Sequence, residues 1–326
     1  MDRFNQILCD ITKQESSKVA LGRAVTLAEN NQARLTVVSV VKPVSLGMGM
    51  PDGGPISADL QAAMVSACAQ RLKLSVGQYL PRVELNTKVL VGIQLMEVVL
   101  EVLRNGHDLV VKAAEPLDWV DHLLGSEDMH LLRKCPCPVW LLKQSAGKKY
   151  RCILAAVDVD DAFAEPEFKS RRLLNQQIVE LAASMAISDF AELHIVHAWE
   201  AIGESAMRGS FMRTPEEKVI TYVDQVRRQR ESNLAKLMTK VTGHLGQNAL
   251  DYLKPKVHMV KGWERKVIPS LAKEIEADLV VMGTVARTGV PGFIMGNTAE
   301  SILHQIDCSV LAIKPDGFVT PIIPQD

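Results

Sequence analysis

Long apolar runs are missing from this sequence. No stretch of about 18 apolar residues occurs, and a helix that spans a bilayer needs roughly that many. No short apolar core follows Met1, as a secretory leader would require. The expectation is a cytoplasmic protein with no membrane span. Cysteine is scarce too: six in 326 residues, too few and too scattered for a disulfide framework. Cys135 and Cys137 are the one close pair, and a single intervening residue is poor spacing for tetrahedral zinc. Buried or half-buried free thiols are expected, and no metal site. Charge of either sign is not in excess. Lys and Arg number 37 against 38 Asp and Glu, a net charge of −1, so nothing favours nucleic acid as a partner. Aromatics make up 5%, and Trp119, Trp140, Trp199 and Trp263 are too dispersed to form a stacking platform. A phosphate-binding GxxxxGK[ST] loop and a strand-borne GxGxxG are both missing. So is any nucleophile–base–orienter set, and catalytic residues are read as none. His194 and His197 lie three apart on an expected strand, so they face opposite sides and cannot share a metal. His130 and His304 read as surface or interface histidines.

What is present is ample apolar material, 47% of the chain, and a repeat. The length suggests two domains at roughly 150 residues each. Asp108-Leu109-Val110-Val111 recurs as Asp278-Leu279-Val280-Val281. Gly92 and Gly262, Gly125 and Gly296, Cys137 and Cys308, Val139 and Val310, and Lys143 and Lys314 follow at nearly the same spacing. Ordered recurrences of this kind mean two copies of one unit. The polar segment from Gln144 to Lys149 separates them, which gives domains at 1–144 and 150–316. Each copy alternates strands and helices. Strands are read at Gln6–Ile11, Arg34–Val41, Asn86–Val91, Asp108–Lys112 and Val139–Lys143. Their counterparts are Arg151–Asp158, Glu192–His197, Val257–Val260, Leu279–Met282 and Val310–Lys314. Apolar strands alternating with helices predict α/β architecture, parallel sheets with helices on both faces. Thr214, Pro215 and Glu217 read as a capping box that starts a long helix.

The most informative stretch runs from Asp278 to Leu303: a buried strand, a glycine-rich loop and a helix start. In a parallel α/β sheet, anions and small ligands bind at such a place. Its spacing resembles the nucleotide-binding motif of the universal stress protein family, which reads Gly, two residues, Gly, nine residues, Gly, then Ser or Thr. Gly283 and Gly296 fill the outer glycine positions, Ala286 replaces the middle one, and Asn297 stands where the hydroxyl residue would be. The wording is most similar to the tandem branch of that family, of the E type. The resemblance covers essentially the whole chain. It implies two tandem flavodoxin-like domains of five parallel strands each, in a flavodoxin-like order, packed as a pseudo-twofold pair. The last strands of the two domains, Val139–Lys143 and Val310–Lys314, would pair within the one chain. An additional homodimer is left open.

Carried over position by position, the resemblance places a ligand site in the second domain at Asp158, Gly283, Arg287, Gly289, Gly296 and Asn297. ATP is the candidate cofactor, in that domain only. In the first domain Thr12 stands at the position of Asp158, Ala113 and Pro116 replace glycines, and Asp118 and Asp121 bring negative charge, so nucleotide binding is expected to be lost there. Two blander readings compete in the second domain. Asn297 with Glu300 makes a good N-cap pair, and Phe293-Ile294-Met295 reads as ordinary packing. A greasier cleft lined by that run and by Met48, Met50, Met207 and Met212 would suit an apolar metabolite instead. The function read from all this is stress resistance by binding a ligand or partner without catalysis. The alternatives are an ATP-hydrolysing signalling protein and a carrier of an apolar or lipid-like metabolite.

Overall fold

A computed structural model describes residues 4–12, 17–44, 55–114, 127–143, 146–165, 167–209, 212–284 and 295–323. Its ten strands are β1 (Gln6–Asp10), β2 (Arg34–Val41), β3 (Leu85–Val91), β4 (Leu109–Ala113), β5 (Val139–Leu142), β6 (Cys152–Ala156), β7 (Glu192–Trp199), β8 (Lys256–Lys261), β9 (Leu279–Gly283) and β10 (Ser309–Ile313). They form one ten-stranded sheet in the order β3-β2-β1-β4-β5-β10-β9-β6-β7-β8. Strands within each half are parallel. The halves meet at one antiparallel contact, where Leu311 faces Trp140, Val310 faces Leu141 and Ala312 faces Val139. The pairing expected of the two last strands is therefore present, and the antiparallel sense gives the two halves their pseudo-twofold relation.

Helices cover the sheet on both faces, as near-continuous apolar strands require. On one face lie α1 (Ser17–Asn31), α2 (Pro55–Val76), α5 (Glu167–Asp189) and α7 (Glu216–Leu245). On the other lie α3 (Gln94–Asn105), α4 (Glu127–Lys134), α9 (Glu264–Glu274) and α10 (Asn297–Leu303). Two short helices, α6 (Glu204–Arg208) and α8 (Gln247–Leu253), flank α7. Strand side chains alternate between the layers: Ile7 and Cys9 join the first core, Leu8 the second, as a period of two dictates.

Each half has the doubly wound class expected, with a specific order. The third strand lies at the outer edge beside the second, giving 3-2-1-4-5 in each half. In the first half, the first two crossovers use helices on one face, α1 and α2, and the next uses α3 on the other. Right-handed crossovers on one face walk the sheet outward, and the change of face returns it to the far side of the first strand. Each half thereby has a switch point, between β1 and β4 and between β6 and β9.

One expected feature is absent. The capping box at Thr214–Glu217 does not form. Pro215 is the N-cap of α7, its carbonyl accepts the Lys218 and Val219 N–H groups, and no side-chain cap bond is made. The Thr214 N–H is instead tied to the Met207 carbonyl at 3.1 Å. Glu216 and Glu217 still place acid in the first turn, where the helix dipole favours it.

Candidate functional site

At the second switch point the carboxyl ends of β6 and β9 part, one leading toward α5 and the other toward α10. Ligands of open α/β sheets bind in such crevices. Here the crevice is a cavity of about 340 Å³. Leu174 and Ile178 of α5 form one wall, and Ile268 of α9 with Ile302 of α10 form the other. Ala156, Met282 and Gly283 make the floor, while Asp158, Arg171, Thr284, Asn297 and Thr298 supply polar groups. An apolar slot with a few convergent polar groups is the usual form of a small-molecule site.

Asp158 is held from three sides. Its N–H donates to Asn175 Oδ1 at 3.0 Å and its carbonyl accepts from Asn175 Nδ2. Its carboxylate takes a hydrogen bond from Arg171 Nη1 at 2.7 Å. That guanidinium also lies 3.7 Å from the centroid of the Phe163 ring. Arg171 and Asp158 border a second cavity of about 260 Å³, lined further by Arg172, Lys236 and Lys240. Across the main cavity stands Glu264. Burial lifts its carboxyl above the ordinary value, and the Asp158 and Glu200 charges push the same way. His197 lies beneath the floor with Nδ1 3.2 Å from the Val157 carbonyl, and burial holds its imidazole below the ordinary value.

Of the residues expected at the site, Asp158, Gly283, Gly296 and Asn297 converge on this cavity. Arg287 and Gly289 lie outside the described residues, as do Ala286, Phe293, Ile294, Met48 and Met50. Met295 is buried in the core, 1% exposed, while Met207 and Met212 do not line the cavity. The expectation that Asn297 caps α10 is corrected. Gly296 is the N-cap, Asn297 is already the first helical residue, and no side-chain cap bond is made. The Gly296 N–H reaches back to the Thr284 carbonyl at 3.1 Å, which sets the helix start one residue earlier. The Asn297 side chain is thus left to the cavity rim.

The same place in the first half is filled. Strand register makes the comparison residue by residue: Asp10 faces Lys112 across β1 and β4 where Ala156 faces Met282 across β6 and β9. Asp10 accepts hydrogen bonds from Thr12 Oγ1 at 2.6 Å and from Gln94 Nε2 at 2.6 Å. Lys112 Nζ binds Asp128 Oδ1 at 2.5 Å. All four polar residues of this network, Asp10, Gln94, Lys112 and Asp128, are buried, and the remaining void is about 10 Å³. Gln94, Lys112 and Asp128 were not singled out from the sequence, and neither were Arg171, Phe163 or Glu264. The repeat held a signal, because Gln94 stands opposite Glu264 and Lys112 opposite Met282 in the two copies.

The Cys135 and Cys137 thiols are free and buried, as are Cys9, Cys68 and Cys152, and Cys308 is half-buried. No helix among the described residues is long and apolar enough to cross a membrane. Among them no group of three or more His, Cys, Asp or Glu could hold a metal. His194 and His197 point apart, the former stacked on His258 at 5.1 Å between ring centroids.

Comparison with known proteins agrees with this architecture. The universal stress protein family model matches twice, over residues 3–143 and 174–314. A universal stress protein E homolog of Haemophilus influenzae is 30% identical over 323 residues, spanning 96% of this chain and 98% of that protein. Universal stress protein E of Salmonella typhi is 29% identical over 327 residues, spanning 99% and 98%. A protein of unknown function from Pseudomonas aeruginosa PAO1 shares the fold, with a TM-score of 0.67 at 23% identity over 97% of this chain and 94% of that one. With two family matches over most of its length, the chain belongs to the universal stress protein family as a tandem member, and its setting is the stress response.

Proposed function

We propose that this protein acts in the stress response by holding a small molecule in the cavity of its second half, and that it does so without catalysis. In this reading residues 1–144 and 150–316 are two cytoplasmic domains, the first structural and the second binding. The observation that carries it is the contrast between two equivalent switch points. One is packed shut by Asp10, Gln94, Lys112 and Asp128, leaving about 10 Å³. The other, with Ala156 and Met282 in the matching places, is open at about 340 Å³. A buried polar network costs more than apolar filling unless every member is satisfied, so a built plug on one side makes the opening on the other a feature that needs an occupant.

The walls suit a ligand with a flat apolar part and a polar end. Leu174, Ile178, Ile268 and Ile302 would sandwich the former. Asp158, Thr284, Asn297 and Thr298 offer acceptors and donors for the latter, and Arg171 beside Asp158 brings a cation to the cavity wall. A nucleotide such as ATP meets this description. The apolar walls equally favour an apolar metabolite, which is the second reading. Binding without turnover fits the state of the titratable groups: Asp158 is tied to Arg171, and His197 is engaged with the Val157 carbonyl.

The test is native mass spectrometry of gently purified full-length protein, followed by titration with Mg-ATP. ATP bound at one equivalent per chain, and lost in Ala156→Leu, supports the nucleotide reading. A co-purified apolar molecule lost in the same variant supports the second. An empty protein that ignores ATP, or ATP binding unaffected by Ala156→Leu, overturns the site assignment. Release of phosphate at a steady rate would overturn the non-catalytic part.

A further inference from the structure

A second constellation lies where the two halves meet, away from the open cavity. Cys135 follows α4 and Cys137 precedes β5, both in the first half. Lys314 follows β10 in the second. The two sulfurs are 3.5 Å apart. Cys135 is wholly buried, whereas Cys137 forms part of the wall of a cavity of about 520 Å³. Pro136, Pro138, Lys314 and Phe318 line the same wall.

Lys314 is 5% exposed. Its ammonium donates to the Leu132 carbonyl and to Thr284 Oγ1, the latter at 2.9 Å, and lies 4.8 Å from the Phe318 ring centroid. Among the described residues no carboxylate lies within ion-pair distance of it. A buried ammonium without an anion is costly. Burial pulls it down to about 8, and the two thiols act in the opposite sense. Burial also pushes the Cys135 thiol up, but hydrogen bonds from Cys137 and the Lys314 charge outweigh it and leave it below the ordinary value. The Cys137 thiol is held well above its ordinary value by its hydrogen bond to Cys135 and by burial. Two sulfurs share a proton beside a buried cation, and thiolate rather than thiol is the nucleophile.

We propose that Cys135 and Cys137 form a redox-active dithiol, which a hydroperoxide entering by this cavity converts to an intramolecular disulfide, with Lys314 as the positioning cation. Cys135 is the lowered thiol, so the Cys137 proton must first pass to it across the 3.5 Å contact. That puts the thiolate on the sulfur lining the cavity, and the Cys137 sulfur attacks the peroxide. An S–O bond forms, the O–O bond breaks, and the leaving hydroxide takes up a solvent proton as water. The Cys135 sulfur then attacks the Cys137 sulfenic acid. The S–S bond forms, the S–O bond breaks, and the expelled hydroxide takes the Cys135 proton as a second water. One hydrogen peroxide is reduced and two thiols are oxidised, with two waters released. The sulfurs must close from 3.5 Å to a bond of about 2.05 Å. Oxidation removes the thiolate facing Lys314. Because Lys314 also holds Thr284 on the rim of the ligand cavity, the two sites touch through one hydrogen bond. The proposal stands whatever occupies that cavity.

The experiment uses the reduced full-length protein treated with hydrogen peroxide at neutral pH, followed by intact-mass and peptide mass spectrometry. The expected result is loss of two hydrogen atoms, mapped to the peptide carrying Cys135 and Cys137. Cys135→Ser should abolish that loss and stop at single-oxygen addition on Cys137, whereas Cys137→Ser should abolish it with no oxygen added at Cys135. Lys314→Gln should slow disulfide formation by at least about fivefold, through the smaller thiolate fraction, and Lys314→Arg should restore the rate. No loss of two hydrogens in the wild type would overturn the proposal, as would loss that survives both serine variants. Crosslinked dimers through Cys308 in place of the internal bond would also overturn it. If Lys314→Gln oxidises at the wild-type rate, the role given to the lysine is wrong. Should that variant fail to fold, Lys314→Arg and the serine variants still decide.

Discussion

A Cβ built on Gly283 would come within 2.8 Å of Leu174 Cδ2. Gly283 ends β9 at the floor of the open cavity, and α5 crosses directly against it. A side chain at the first position of the family-like loop would thus have to displace the Leu174 methyl. Gly283→Ala is expected to lower stability by about 1–3 kcal/mol, the usual cost of overpacking. In a Leu174→Ala background the same change should cost clearly less, because the clash is gone. Urea midpoints of the four proteins measure this, and equal costs in both backgrounds would refute the packing role.

The plugged switch point makes a second prediction. Lys112→Met leaves Asp128 buried without its ammonium, and breaking a buried pair from one side costs about 3–5 kcal/mol. Lys112→Met combined with Asp128→Ala restores the pairing found in the second half, where Met282 stands in the place of Lys112. The double variant should recover most of the lost stability. It should also gain a small-molecule cavity, read as binding of an apolar fluorescent probe that the wild-type first half lacks. A double variant no more stable than the single one would show that the pair is not acting as a unit.

The sheet was legible in the sequence because its strands are short apolar runs. Arg34–Val41 forms the strand read from its β-branched residues, and the other strands shift by a residue or two at their ends. The repeat gave the two-half organisation, and the family resemblance supplied the pairing of the last strands. Helix starts were less legible. Thr214 and Asn297 are good capping residues by type, yet a neighbouring residue takes the cap in both places, since backbone direction out of the preceding loop decides which carbonyl begins the ladder. The contents of the two switch points were the least legible. Asp10, Gln94, Lys112 and Asp128 are far apart in the chain, and only strand register and the change of helix face bring them together.

The junction between halves rests on a cation among aromatics. Arg23 of α1 donates to Asp189 Oδ2 at 2.6 Å and lies 4.1 Å from the Tyr150 ring centroid and 5.0 Å from that of Trp140. Asp189 also accepts from the Tyr150 N–H at 2.8 Å. The pair is 6% and 5% exposed. Arg23→Ala should cost about 3–5 kcal/mol, since Asp189 would be left buried without the Arg23 guanidinium. Arg23→Met with Asp189→Asn, which keeps an acceptor for Tyr150, should cost markedly less. Thermal unfolding should show the single variant loosening the contact between halves. Two equally destabilised variants would mean that the charge pair is not the cause.

Acid sensitivity follows from three histidines whose folded values lie below the ordinary 6.5, with burial as the first cause in each: His107, His197 and His258. A group with a depressed folded value binds fewer protons folded than unfolded. Below 6.5 the unfolded chain therefore takes up protons that the folded one refuses, and stability must fall as pH drops through that window. His107 is the clearest case, because both ring nitrogens are buried with no hydrogen-bond partner within 3.5 Å among the described residues. Glu101 lies 3.9 Å away and acts in the opposite sense, but burial outweighs it. Replacing His107 by Leu removes one such group without opening a large void. Urea midpoints taken from pH 7.5 down to about 5 should decline in both proteins, and less steeply in His107→Leu. Parallel declines would show that His107 titrates alike in the folded and unfolded chain, and that its burial does not contribute to the acid limb.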